Sequence, residues 1–197
     1  GSLQEKYAPE DIVLPSQFFD RTSQIHTFFG GGIVAHAAFA EPLCTPLREI
    51  LFREASAAGC RTHMGGTYVN MDGPQFSTRA ESETNRKLGF DVIGMTNLAE
   101  AKLCREAEIA MATLAMITDY DCWKLDEDPV TSDAVIAHLH ANAAAAKKVI
   151  ANAIPHIPPE ANWPEHRALD NALVTDRSLW PAETAAKLRP ILGRFLA

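Results

Sequence analysis

An α/β fold, with helices packed on a largely parallel sheet, is what the sequence predicts. Two observations carry that prediction. Short apolar runs of strand length, such as residues 90–95 and 110–117, alternate with segments of helical periodicity. The helical segments are punctuated by capping signals at their starts and glycines at their ends.

The elements follow in order. Val13-Leu14-Pro15 and residues 17–20 read as short strands, and residues 25–29 as another. Gly30-Gly31-Gly32 then breaks the chain into a loop. The first helix spans residues 46–58: Thr45 is placed to cap it, Pro46 suits its first turn, and Gly59 closes it. Its apolar stripe is Leu47, Ile50, Leu51, Ala55 and Ala58. Thr67-Tyr68-Val69-Asn70-Met71 reads as a strand running into the turn Asp72-Gly73-Pro74. Thr78 and Glu81 form a capping box that opens a second helix, which Gly89 ends. Residues 90–95 make a short apolar strand, and Asn97 with Glu100 repeats the capping signature for a helix to about Ala107. Residues 110–117 are nearly all apolar, as a strand covered on both faces would be. The longest helix spans residues 133–153, with Val135, Ile136, Leu139, Ala143, Ala146, Val149, Ile150 and Ala153 as its buried stripe. A proline-rich connection, residues 155–164, leads to one or two closing helices.

Composition narrows the class. The chain has 197 residues, 47% hydrophobic and 22% charged, which suits one domain with a substantial core and excludes disorder as the main state. With 18 Lys+Arg against 25 Asp+Glu, the net charge of −7 argues against a nucleic-acid partner or a membrane surface. No apolar run approaches the roughly 18 residues that span a bilayer, and no signal peptide is expected. Cys44, Cys60, Cys104 and Cys122 contain no CxxC pair, which fits buried, reduced cysteines of a cytoplasmic protein.

Ligands of open α/β sheets bind beyond the carboxyl ends of strands. Three segments fall there: residues 73–81, Gly94-Met95-Thr96-Asn97, and Thr118-Asp119-Tyr120-Asp121-Cys122-Trp123. Asp119 and Asp121 are close enough in sequence to disfavour joint ionisation, so that one could donate a hydrogen bond; alternatively they cap a turn and face water. Met95-Thr96 offers a soft apolar surface and a hydroxyl at a helix start, where anions are favoured, or else a core Met and a turn Thr. Phe76-Ser77 could stack on a flat ligand, or Phe76 could be core. Arg79 and Glu81 either pair or decorate the first helical turn. Other constellations fail. His138 and His140 lie two apart on a helix and face differently, no GxSxG or Walker loop exists, and Cys122 has no nearby His. No metal is expected on these grounds.

In this order the three segments resemble the 5′-methylthioadenosine phosphorylases, a branch of the trimeric purine nucleoside phosphorylases. Gln17-Phe18-Phe19-Asp20-Arg21-Thr22 and His36-Ala37-Ala38-Phe39-Ala40-Glu41-Pro42 match the same family, and the resemblance covers most of residues 1–153. It implies a three-layer α/β/α domain over residues 1–197 with a central mixed, twisted sheet, lacking the family's N-terminal strands in this chain. It also implies phosphate-dependent cleavage of 5′-methylthioadenosine to adenine and 5-methylthioribose 1-phosphate, a salvage reaction. By the resemblance Asp119 serves purine N7 and Asp121 the 6-amino edge. Phe76 stacks near base and ribose, Met95 lines the ribose, and Thr96 contacts phosphate. Ser77 stands where 6-oxopurine enzymes have Glu. Ser132, Val135 and Ile136 border the 5′-methylthio pocket, Ser132 departing from the small apolar residue expected there. His36 reaches into a neighbouring subunit's site, implying a homotrimer or a trimer-based hexamer. Inorganic phosphate is a co-substrate, and no organic cofactor is implied. The family's N-terminal phosphate loop is expected to precede Gly1, in the same protein or in a separate polypeptide. Two further readings stay open: a phosphorylase of methylthioinosine or other purine nucleosides, and a nucleoside-binding fragment without catalysis.

Overall fold

A computed structural model describes residues 1–124 and 132–196, and the side chains of all of these except 132–138. The strands are β1 (Ile12–Leu14), β2 (Gln17–Arg21), β3 (Thr62–Met64), β4 (Thr67–Met71), β5 (Val92–Gly94) and β6 (Ala115–Met116). The helices are α1 (Thr45–Ala57), α2 (Arg79–Lys87), α3 (Leu98–Glu106), α4 (Ser132–Ala153), α5 (Ala182–Lys187) and α6 (Arg189–Leu192).

The strands form a mixed sheet in two sections, ordered β3-β1-β6 and β2-β4-β5. All pairs are parallel except β1 with β6. The sections join where β1 runs into β2 beside β3 running into β4. There Gly65 N donates to Leu14 O at 2.8 Å and Ser16 N to Gly66 O at 2.9 Å. Gly66 has a φ of +93°, and a Cβ on it would lie 2.8 Å from the Asp91 carboxyl carbon. Only glycine passes that bend without displacing Asp91.

Ile12 and Leu14 of β1, Leu51 and Ala55 of α1, and Val149 and Ala153 of α4 form one buried cluster. Leu3, Val69, Phe90 and Ile93 form a second under β4 and β5. A third, of Phe29, Ile33, Leu169, Ala172, Leu188 and Leu192, fastens the C-terminal segment to residues 29–33.

Several expectations need correction. Residues 25–29 are not a strand. Ile25 is 90% exposed, and the Glu106 carboxylate, in place of a strand partner, accepts from Thr27 Oγ1 at 2.7 Å and Phe28 N at 2.6 Å. Cys44, not Thr45, occupies the N-cap of α1, with no side-chain capping bond, and Thr45 is the first helical residue. In the run 110–117 the strand is Ala115 and Met116, paired with β1, while Ile117 N donates to Asp11 O and Ile117 O accepts from Glu10 N beyond the end of β1. On α4, Leu139 and Ile150 are half exposed while Asn142 is buried. The buried face therefore runs through Asn142, Val149 and Ala153, a helical spacing that a polar residue conceals.

Candidate active site

Residues 1–3 lie as a short extended piece between β5 and the chain that follows β6. Gly1 N donates to Ile93 O at 2.8 Å, and Ile93 N returns a bond to Gly1 O at 2.9 Å. On the other side Ser2 N donates to Asp119 O at 2.8 Å, and Asp121 N donates to Ser2 O at 2.9 Å. This pairing fixes the backbone on both sides of Tyr120. A Cβ on Gly1 would lie 3.2 Å from Asp119 Oδ2 and 3.6 Å from Asp121 Cβ, so both aspartates pack on the same glycine. Asp119 is half-buried, and its Oδ1 accepts from Thr118 Oγ1 at 2.5 Å. Asp121 is buried at 8% exposure, and its Oδ2 has no hydrogen-bond partner among the described residues.

The loop after β4 comes to the same place. A Cβ on Gly73 would lie 2.7 Å from Met95 Sδ, so glycine is what lets Met95, just beyond β5, approach that loop. Ser77 Oγ donates to Met71 Sδ at 3.5 Å, and Cys122 Sγ donates to Ser77 O at 3.3 Å. Thr78 then opens α2 through a full capping box with Glu81. Phe76 stands 73% exposed, a ring free to cover a ligand. The three strand-end segments thus converge as the sequence predicts, through contacts between Gly73 and Met95 and between Ser77 and Cys122.

A cavity of about 550 Å³ opens beside β5, walled by Gly1, Gly94, Met95, Thr96, Asn97 and the stretch 111–117. Met95 and Thr96 line it. Phe76, Ser77, Asp119 and Asp121 do not, although Gly1 in its wall is the residue on which both aspartates pack. Tyr68 also enters the wall. Its hydroxyl occupies the space a side chain at Gly94 would need, and burial, with the Glu100 charge adding to it, pushes the phenol up to about 12. Sequence reasoning did not select Tyr68; its signal is that it shares a strand face with Asn70, whose Oδ1 accepts from Leu98 N. His36 is exposed, its backbone N bonded to Ala172 O at 2.8 Å, and it takes no part in the contacts just described. The side chains of Ser132, Val135 and Ile136 lie outside the described residues.

Two carboxylates, a thioether and a hydroxyl stand at strand ends, the place where α/β sheets bind small molecules. A model of the phosphorylase superfamily matches residues 1–155, and the chain belongs to that superfamily. Over 198 residues it is 49% identical to an S-methyl-5′-thioadenosine phosphorylase of Geobacter sulfurreducens, covering 100% of this chain and 69% of that protein. An S-methyl-5′-thioadenosine phosphorylase of Chloroflexus aurantiacus is 52% identical over 197 residues, 99% of this chain and 68% of its own. Among solved structures, a methylthioadenosine phosphorylase from an Antarctic soil metagenomic library superposes with a TM-score of 0.91 at 46% identity, covering 98% of this chain and 69% of that one. A methylthioadenosine phosphorylase of Schistosoma mansoni in complex with adenine gives 0.76 at 29% identity, over 98% and 69%. These likenesses continue past residue 155, where the sequence offers no motif.

Proposed function

We propose that this protein cleaves 5′-methylthioadenosine with inorganic phosphate, giving adenine and 5-methylthioribose 1-phosphate. The observation that carries the reading is the packing of Asp119 and Asp121 on one glycine beside Met95, in a chain about half identical to enzymes bearing that name.

The chemistry asks for a group that meets the departing base. As phosphate attacks C1′ and the glycosidic bond breaks, the purine leaves with the bonding electrons, and a proton or a strong hydrogen bond at N7 stabilises it. Asp119 supplies that group, and Asp121 takes the 6-amino edge. Phe76 covers base and ribose, Ser77 leaves the room that an aminopurine needs, and Met95 lies against the ribose. Thr96, exposed on the cavity wall, gives its hydroxyl to phosphate. Ser132, Val135 and Ile136 border the 5′ substituent. His36 completes a neighbouring copy's site, so that the working unit is a homotrimer. Phosphate and nucleoside are the only small molecules required, and the protein works in the cytoplasm.

The test is product analysis with 5′-methylthioadenosine, methylthioinosine and inosine, with and without phosphate. Phosphate-dependent release of adenine, with 5′-methylthioadenosine preferred, is expected. Preference for a 6-oxopurine nucleoside, or base release that ignores phosphate, contradicts the reading.

A further inference from the structure

Beyond the site, Arg86 and Trp123 form a contact whose purpose the reaction does not by itself explain. The Arg86 guanidinium carbon lies 3.5 Å from the centre of the Trp123 ring, and Arg86 Nε donates to Leu3 O at 3.0 Å. Trp123 Nε1 donates to Ser2 O at 2.9 Å. That oxygen also accepts from Asp121 N at 2.9 Å, while Ser2 N donates to Asp119 O at 2.8 Å. One residue of the 1–3 segment, Ser2, thus serves Asp119, Asp121 and Trp123 together. Arg86 closes the arrangement from the last turn of α2, the helix that follows directly on Phe76 and Ser77.

From this we infer that Arg86 and Trp123 are positioning residues. They hold the 119–123 segment against residues 1–3 and so set where the two carboxylates stand relative to the Phe76–Ser77 loop. The physical case is one of matched shapes. A planar guanidinium can lie flat on an indole and still keep its Nε–H for a carbonyl, whereas an ammonium cannot do both. Tyr120 stacks edge-on against Trp123 at 5.7 Å between ring centres, which tightens the same turn. Misplacing a catalytic group by about 1 Å costs on the order of a hundredfold in rate, so a brace outside the site can matter as much as a contact within it.

The inference rests on the proposed role of Asp119 at the leaving purine, and its test separates the two. Two substrates are compared: 5′-methylthioadenosine, whose adenine needs help at N7, and p-nitrophenyl 5-methylthioribofuranoside. In the second, phosphate attacks C1′, the C1′–O bond breaks, and p-nitrophenolate leaves with the electron pair unprotonated. Arg86→Met is expected to lower kcat on the nucleoside by about ten- to a hundredfold with KM within about threefold, and to change kcat on the phenyl glycoside by less than about threefold. Equal losses on both substrates overturn the inference, since they report damage to the fold. Should Arg86→Met not fold, Trp123→Phe, which keeps a ring beneath the guanidinium and deletes the Nε1–H, carries the same comparison. Asp119→Asn is the reference. If it is selective for the nucleoside while Arg86→Met is not, the positioning inference alone falls. If Asp119→Asn is itself unselective, the role of Asp119 falls and the inference with it.

Discussion

Asp121 shows burial and chemistry in conflict at a single residue. Its Oδ2 is buried and unpartnered among the described residues, a condition that costs about 1–3 kcal/mol and is relieved when a ligand donates there. The 6-amino group of adenine is such a donor. Asp121→Asn is therefore expected to raise KM for 5′-methylthioadenosine by about tenfold, equivalent to about 1.4 kcal/mol, without lowering Tm. An unchanged KM with a lower Tm would make Asp121 a structural residue instead. Cys44 and Tyr68 carry a different signature. Burial raises the Cys44 thiol from 9.0 to about 11 and the Tyr68 phenol from 10.0 to about 12. Each is negative only when deprotonated, and the unfolded chain deprotonates first. Their contribution to stability is thus complete below about pH 9 and is lost as pH climbs through the raised values. Melting curves should show Tm falling between pH 9 and 11, with a shallower slope in Cys44→Ala; equal slopes in both proteins would refute this assignment.

At the scale of elements, α2 holds the most information per residue. Thr78 N donates to Glu81 Oε2 at 2.7 Å and Glu81 N to Thr78 Oγ1 at 3.2 Å. Removing the cap with Thr78→Ala should cost about 1 kcal/mol in denaturant unfolding, and a loss near zero would show that packing alone holds the helix start. This helix is legible in the sequence because capping is local: Thr78, Glu81 and Gly89 lie within one short window. The strand β4, Thr67–Met71, is legible for the same reason, since its apolar run ends in a glycine-proline turn. What escapes sequence reasoning is long-range. β3 is only Thr-His-Met, with no alternation to mark it, and it exists because β1 lies alongside. Asn142 is no part of the apolar stripe expected of the longest helix, yet it is buried and donates to Ile117 O at 3.1 Å, two residues before Asp119. Of the site, the strand-end segments are legible and their support is not. Nothing in Gly1-Ser2-Leu3 or Arg86 marks them until chain ends and loops 80 to 120 residues apart are brought together.

Across the whole molecule, a sheet bent at Gly65-Gly66 carries the site, and a separate C-terminal cluster is pinned to it. Glu108 accepts two bonds from Arg194 and one from Leu169 N, while Arg194 also meets Asp170. That clamp ties the tail to the turn just after α3. Asp119, packed on Gly1 beside β5, is the residue proposed to serve the departing adenine. The most direct test compares Asp119→Asn with the parent protein on 5′-methylthioadenosine and on methylthioinosine. The expected result is a fall in kcat/KM of about 10²–10⁴ on the adenine nucleoside with a far smaller change on the inosine analogue. Equal losses on both would contradict it.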